Sequence, residues 1–141
     1  PDRDSERRMM VSTTGAEEAA PEQVMTAEEL QAAQALVRRL PVGESVVEAI
    51  IAIVRAGRPE TSDVSEVTEY VGWGPGPRAS QALMLTCRAR ALIDGRLSPS
   101  VDDVMALAKA VLQHRMALKF TARHSGVDID ALIESLCREF R

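Results

Sequence analysis

Tyr70-Val71-Gly72-Trp73-Gly74-Pro75-Gly76-Pro77-Arg78-Ala79-Ser80 is the stretch on which the fold of this chain turns. Glycine and proline alternate as far as Pro77, and a helix-compatible run follows over residues 79–94. Pro77 suits the first helical position, where its missing N–H would have no partner anyway. Arg78 then falls in the first turn, where the macrodipole disfavours a cation. Two readings of Arg78 stand on these residues. It is a surface arginine after an ordinary turn, or a guanidinium held beside free backbone N–H groups, which would suit a phosphate.

Outward from that helix the pattern stays helical. Ala79, Ala82, Thr86, Ala89 and Ile93 form one stripe, with Leu83, Leu85 and Leu92 on its flanks, and Gly95 closes the helix in the left-handed conformation. Ser98-Pro99-Ser100-Val101-Asp102-Asp103 starts the next helix with a serine cap, an early proline and two first-turn acids. Its stripe is Val101, Val104, Met105, Ala108, Val111 and Leu112, and Arg115 continues it one turn further. Arg115 complements the end of that helix, or it marks an interface with another domain or subunit. After a polar break at 121–126, Asp128 or Asp130 opens a last helix with Ile129, Leu132, Ile133, Leu136 and Phe140 on one face.

On the N-terminal side, residues 4–14 read as a helix with Asp2 or Asp4 as cap and Gly15 as stop, followed by a polar linker over 16–25. Thr26-Ala27-Glu28-Glu29 is a capping box, and the helix it starts carries Leu30, Ala33, Val37 and Leu40 before Pro41. Ser45 is the expected cap of the next helix. Its Val46, Val47, Ile50, Ile51, Ile53 and Val54 cover more than half its circumference, which predicts a central place in a bundle. Gly57 and Pro59 stop it. From 60 to 76 no helical period is apparent, so a short strand or a long ordered loop is expected, with Tyr70 and Trp73 pinning it to the bundle.

Composition agrees with an all-α fold. The chain has 141 residues, 45% of them apolar but only 3% aromatic, so a single aliphatic core is expected. A net charge of −4 argues against binding driven by phosphate neutralisation along nucleic acid. Lys109 and Lys119 are the only lysines. Cys87 and Cys137 suggest neither a disulfide framework nor metal spacing, and both read as buried thiols. His114 and His124 also lack ligand spacing. No run is long and apolar enough to span a membrane and none reads as a signal peptide, so the expected location is cytoplasmic. No phosphate loop, dinucleotide fingerprint or His-Glu-x-x-His occurs. The carboxylate pairs Glu17/Glu18, Glu28/Glu29 and Asp102/Asp103 read as helix-start or linker charge. The chain alone is therefore not expected to be an enzyme.

Gly74-Pro75-Gly76-Pro77-Arg78-Ala79, Ala82-Leu83, Arg88-Ala89-Arg90-Ala91-Leu92, Gly95-Arg96, Ser98-Pro99-Ser100-Val101-Asp102-Asp103-Val104 and Val111-Leu112-Gln113-His114-Arg115 together resemble the C-terminal part of a MoxR-type AAA+ ATPase. The opening Pro1-Asp2-Arg3-Asp4-Ser5-Glu6-Arg7, which lacks an initial methionine, is similar to the segment after the nucleotide-binding core. The resemblance spans residues 1–118. It implies a small helical lid there, with 1–25 leading from the core, and leaves 119–141 as a helical tail. It implies that Arg78 is a sensor-2 arginine supported by Gly74, Gly76 and Pro77, acting on ATP and magnesium held by a core upstream. The isolated chain would need no cofactor. The implied partners are that core, neighbouring subunits of a ring (commonly a hexamer) and proteins with a von Willebrand A domain; nucleic acid and membrane insertion are not expected. Where the family usually has Gly-Ala-Ser-Pro-Arg-Ala, this chain has Pro75 and Gly76. The alternative is a free-standing acidic helical module that binds or regulates a partner protein. A helix-turn-helix nucleic-acid binder is disfavoured by the charge.

Overall fold

A computed structural model describes residues 1–15 and 22–140, apart from the side chains of Arg123 and His124. Residues 16–21 of the linker expected over 16–25, with their Glu17/Glu18 pair, and the reading of His124 lie outside the described residues. By internal contact the chain divides into two units, residues 1–32 and 33–141.

In the first unit, α1 (Arg3–Thr13) is capped by Asp2, whose carboxylate accepts from the Ser5 N–H at 2.8 Å. Helix α2 (Ala27–Arg39) begins in this unit and ends in the second. Its capping box forms as expected: the Thr26 N–H donates to Glu29 Oε2 at 2.8 Å, and the Glu29 N–H donates to Thr26 Oγ1 at 3.2 Å. No described residue of 1–32 is buried.

The second unit holds the core. Helix α3 (Glu44–Ala56) and α6 (Val101–Leu112) each pack against both α5 (Pro77–Ile93) and α8 (Ile129–Glu139). Ile50, Ile53, Val54, Leu83, Cys87, Val104, Leu112, Ile133 and Leu136 fill the space between them. Between α3 and α5 the chain forms α4 (Ser65–Tyr70) and β1 (Val71–Trp73). Strand β1 pairs antiparallel with β2 (Ala117–Leu118), Val71 opposite Leu118 and Trp73 opposite Ala117. A five-residue α7 (Phe120–His124) leads towards α8.

Several expectations are corrected. Gly43, not Ser45, is the N-cap of α3, because the Val46 and Val47 N–H groups already bond the Gly43 carbonyl. Ser45 stands too late to cap. Ile51 remains 41% exposed, so α3 is not surrounded. In α5 the buried stripe is Ala79, Leu83, Cys87 and Ala91, while Thr86 and Ile93 face outward. The expected stripe was displaced by one residue, about 100° around the helix. The larger apolar area of Leu83 and Cys87 outweighs the small-residue row at Ala82 and Ala89. The 60–76 segment contains a helix as well as the short strand. Val64, Val67 and Val71 are spaced three and four apart, and Val67 and Val71 are fully buried. Three positions over a six-residue helix are too few to display a period in the sequence. Helix α7 likewise occupies most of the 121–126 break. Trp73 is exposed and pins nothing; buried Val71 and Pro75 do that.

Candidate functional site

The loop before α5 is built on the turn that ends α3. Gly57 leaves α3 in the right-handed helical region, and the Arg58 N–H bonds back to the Arg55 carbonyl at 3.0 Å. Gly74 lies directly on this turn. A Cβ there would stand 2.7 Å from both Arg58 Cα and the Gly57 carbonyl oxygen, so only glycine lets the two backbones approach this closely. Pro75 is buried against Gly57, where an added Cβ would lie 3.1 Å from the proline ring. Arg58 completes the joint by donating from Nε to the Pro75 carbonyl at 2.7 Å.

From that anchor the chain enters α5. Gly76 is the N-cap in extended conformation, with no side chain to cap the helix and open space where a Cβ would point. Its carbonyl accepts the Ala79 N–H at 2.9 Å. Pro77 takes the first helical position, as its chemistry predicts. Arg78 follows, exposed, and makes no ion pair or hydrogen bond among the described residues. The structure thus brings Gly74, Gly76, Pro77 and Arg78 together at one helix start. Arg115 is elsewhere, at the end of α6, where its Nη1 donates to the Val111 carbonyl at 2.7 Å and also meets the His114 ring. It satisfies a carbonyl of the last turn of α6.

The other concentration of charge joins α5 to α6. Asp103 is buried and accepts both Nη groups of Arg96, at 2.7 and 2.8 Å, together with the Ser100 N–H at 2.8 Å. Arg90 Nε lies 3.2 Å from the same carboxylate. The Arg96 guanidinium holds the Asp103 carboxyl down at about 2, with Ser100 helping and burial opposing. The backbone forms the matching C-terminal motif: Gly95 has φ +72°, and the Gly95 and Arg96 N–H groups bond the Leu92 and Ala91 carbonyls. Sequence reasoning treated Asp103 as helix-start charge and did not anticipate its burial. The signal was the Gly95-Arg96 pair seven residues ahead of it, which returns a bidentate donor to the next helix start. Cys87 is buried below Asp103, and burial first, then that carboxylate, pushes its thiol up to about 11. It is a packing residue rather than a nucleophile.

Among the described residues no group of three or more His, Cys, Asp or Glu side chains converges as a metal site, and no helix is long and apolar enough to cross a membrane. The sequence model of the AAA lid domain family matches residues 64–136, a span that contains the loop, α5, α6 and most of α8. Chaperone MoxR1 of Mycobacterium tuberculosis is 28% identical over 129 residues, covering 91% of this chain and 34% of that protein. The uncharacterized protein YeaC of Bacillus subtilis is 31% identical over 115 residues, covering 82% of this chain and 33% of its own length. This chain therefore spans about a third of these curated relatives. A candidate ATPase of Cytophaga hutchinsonii shares the fold, with a TM-score of 0.88 at 22% identity over 97% of this chain and 42% of that one. The chain belongs to the AAA lid domain family, in its MoxR-type form.

Proposed function

We propose that this chain serves as the lid of a MoxR-like AAA+ ATPase, and that Arg78 is its sensor-2 arginine. The observation that carries the reading is an exposed guanidinium with no partner among the described residues, at the start of a helix whose entry loop is clamped to the core. A cation so placed suits the phosphates of ATP bound against a neighbouring core, where a rigid donor acts without reorganising. ATP, when bound, supplies the phosphoryl group whose developing charge a guanidinium can neutralise. Magnesium and the attacking water would be handled by residues of that core. Rotation of the lid between nucleotide states would then drive a ring, in the manner of a chaperone, to remodel partner proteins in the cytoplasm, von Willebrand A domain proteins among them.

The test is ATP turnover of the full-length parent with Arg78→Ala, beside melting of the isolated chain carrying the same change. Turnover should fall by roughly 10³-fold or less, because a lid arginine shares its task with other groups. Arg78→Lys should restore little, since it lacks the planar fork. The isolated variant should keep its stability within about 0.5 kcal/mol, as exposed sites do. Wild-type turnover would remove Arg78 from the site, and an unfolded variant would make it structural.

A further inference from the structure

Two residues of the 74–77 loop are prolines, and Gly76 provides no capping side chain. The loop therefore has little with which to fix the start of α5 from within. The Arg58 Nε–H bond to the Pro75 carbonyl is the one side-chain hydrogen bond onto these four residues among the described residues. It spans 17 positions of sequence and is partly buried. The donor is cationic, so the bond is stronger than one between neutral groups. It acts where Gly74 and Pro75 already touch the Gly57-Arg58 turn, two residues before Pro77.

We infer that Arg58 is a positioning residue for Arg78: by holding the Pro75 carbonyl it sets the register and direction of the first turn of α5. This rests on the reading of Arg78 as the phosphate-contacting residue. Arg58 lies outside the span matched by the family model, which begins at residue 64, and its role follows from the contacts alone. A misplacement of a reacting or stabilising group by about 1 Å can cost around 10²-fold in rate, so a clamp of this kind bears on turnover as well as folding.

The chemistry of the bond separates this role from a direct charge contact. Counting from Cβ, the amide nitrogen of glutamine falls where arginine has Nε, whereas lysine has a methylene there. Arg58→Gln keeps an N–H donor at that position and loses the charge; Arg58→Lys keeps the charge but carries its donor one atom further out, past the place of Nε. In the isolated chain, hydrogen exchange at the Ala79 amide, which bonds Gly76, should accelerate tenfold or more in Arg58→Ala and Arg58→Lys and stay near wild type in Arg58→Gln. In the full-length parent, turnover should follow the same order. Adding Arg58→Ala to Arg78→Ala should cost little further, because both changes remove one function. A functional lysine with a failing glutamine would overturn the proposal in favour of direct contact, and so would unchanged exchange in all three variants or full additivity with Arg78→Ala. If Arg78→Ala alone leaves turnover intact, the reading of Arg78 falls, while the exchange pattern still decides whether Arg58 sets the helix start.

Discussion

At the scale of single residues, the two glycines flanking Pro75 do opposite things. Gly74 is required by contact: its added Cβ would press on backbone atoms that cannot swing away. Gly74→Ala should lower stability by about 1–3 kcal/mol, the usual cost of overpacking, measured by thermal or urea melting. Gly76 has nothing within 4 Å of its added Cβ and an extended backbone at φ −85°. Gly76→Ser should therefore be accepted and should stabilise by a few tenths of a kcal/mol, since serine exceeds glycine only slightly as a cap. A destabilised serine variant would show that the open space is filled in solution. The sequence made the helix start readable through Pro77, and Arg78 with it. It could not show the joint to Arg58, because a bond from Arg58 to Pro75 leaves no local pattern.

At the scale of elements, several start and stop signals form as read, whereas the buried stripe of α5, the longest helix, and the cap of α3 do not. The Thr26-Glu29 box, the Asp2 cap and the Gly95 stop appear as expected, and Leu132, Ile133 and Leu136 of the α8 face are buried while Phe140 is exposed past the helix end. Short elements were not legible, because six residues of α4 and five of α7 hold too few turns to display a period against background. Helix α3 remains the most apolar, and Ile50, only 2% exposed, faces the core. Ile50→Ala should cost about 2–5 kcal/mol, and an unchanged melting temperature would contradict the packing described for α3. The α5–α6 corner has its own signature. Asp103 is held at about 2 against an ordinary 3.8, so its contribution is present above about pH 4 and is lost as pH falls through 2. That loss should amount to about 2 kcal/mol. Asp103→Asn should remove most of it, giving a protein less stable at neutral pH whose stability declines more gently between pH 4 and 2.

At the scale of the whole molecule, the sum of charges is −4 and the arginines of the α5–α6 corner are already paired with acids. Duplex DNA at physiological salt should therefore not be bound appreciably, and a salt-dependent micromolar titration would contradict this. One further consequence concerns Trp73, which is 63% exposed at the end of β1, directly before Gly74. It is the only tryptophan in the chain. Its indole is already largely solvated in the folded state, so unfolding will shift its emission little, and circular dichroism is the better monitor of melting. Docking of a neighbouring domain beside the loop would instead desolvate the ring and move its emission to the blue. The protein thus carries a built-in optical reporter that is almost silent to its own unfolding and responsive to whatever comes to rest on the Trp73 indole.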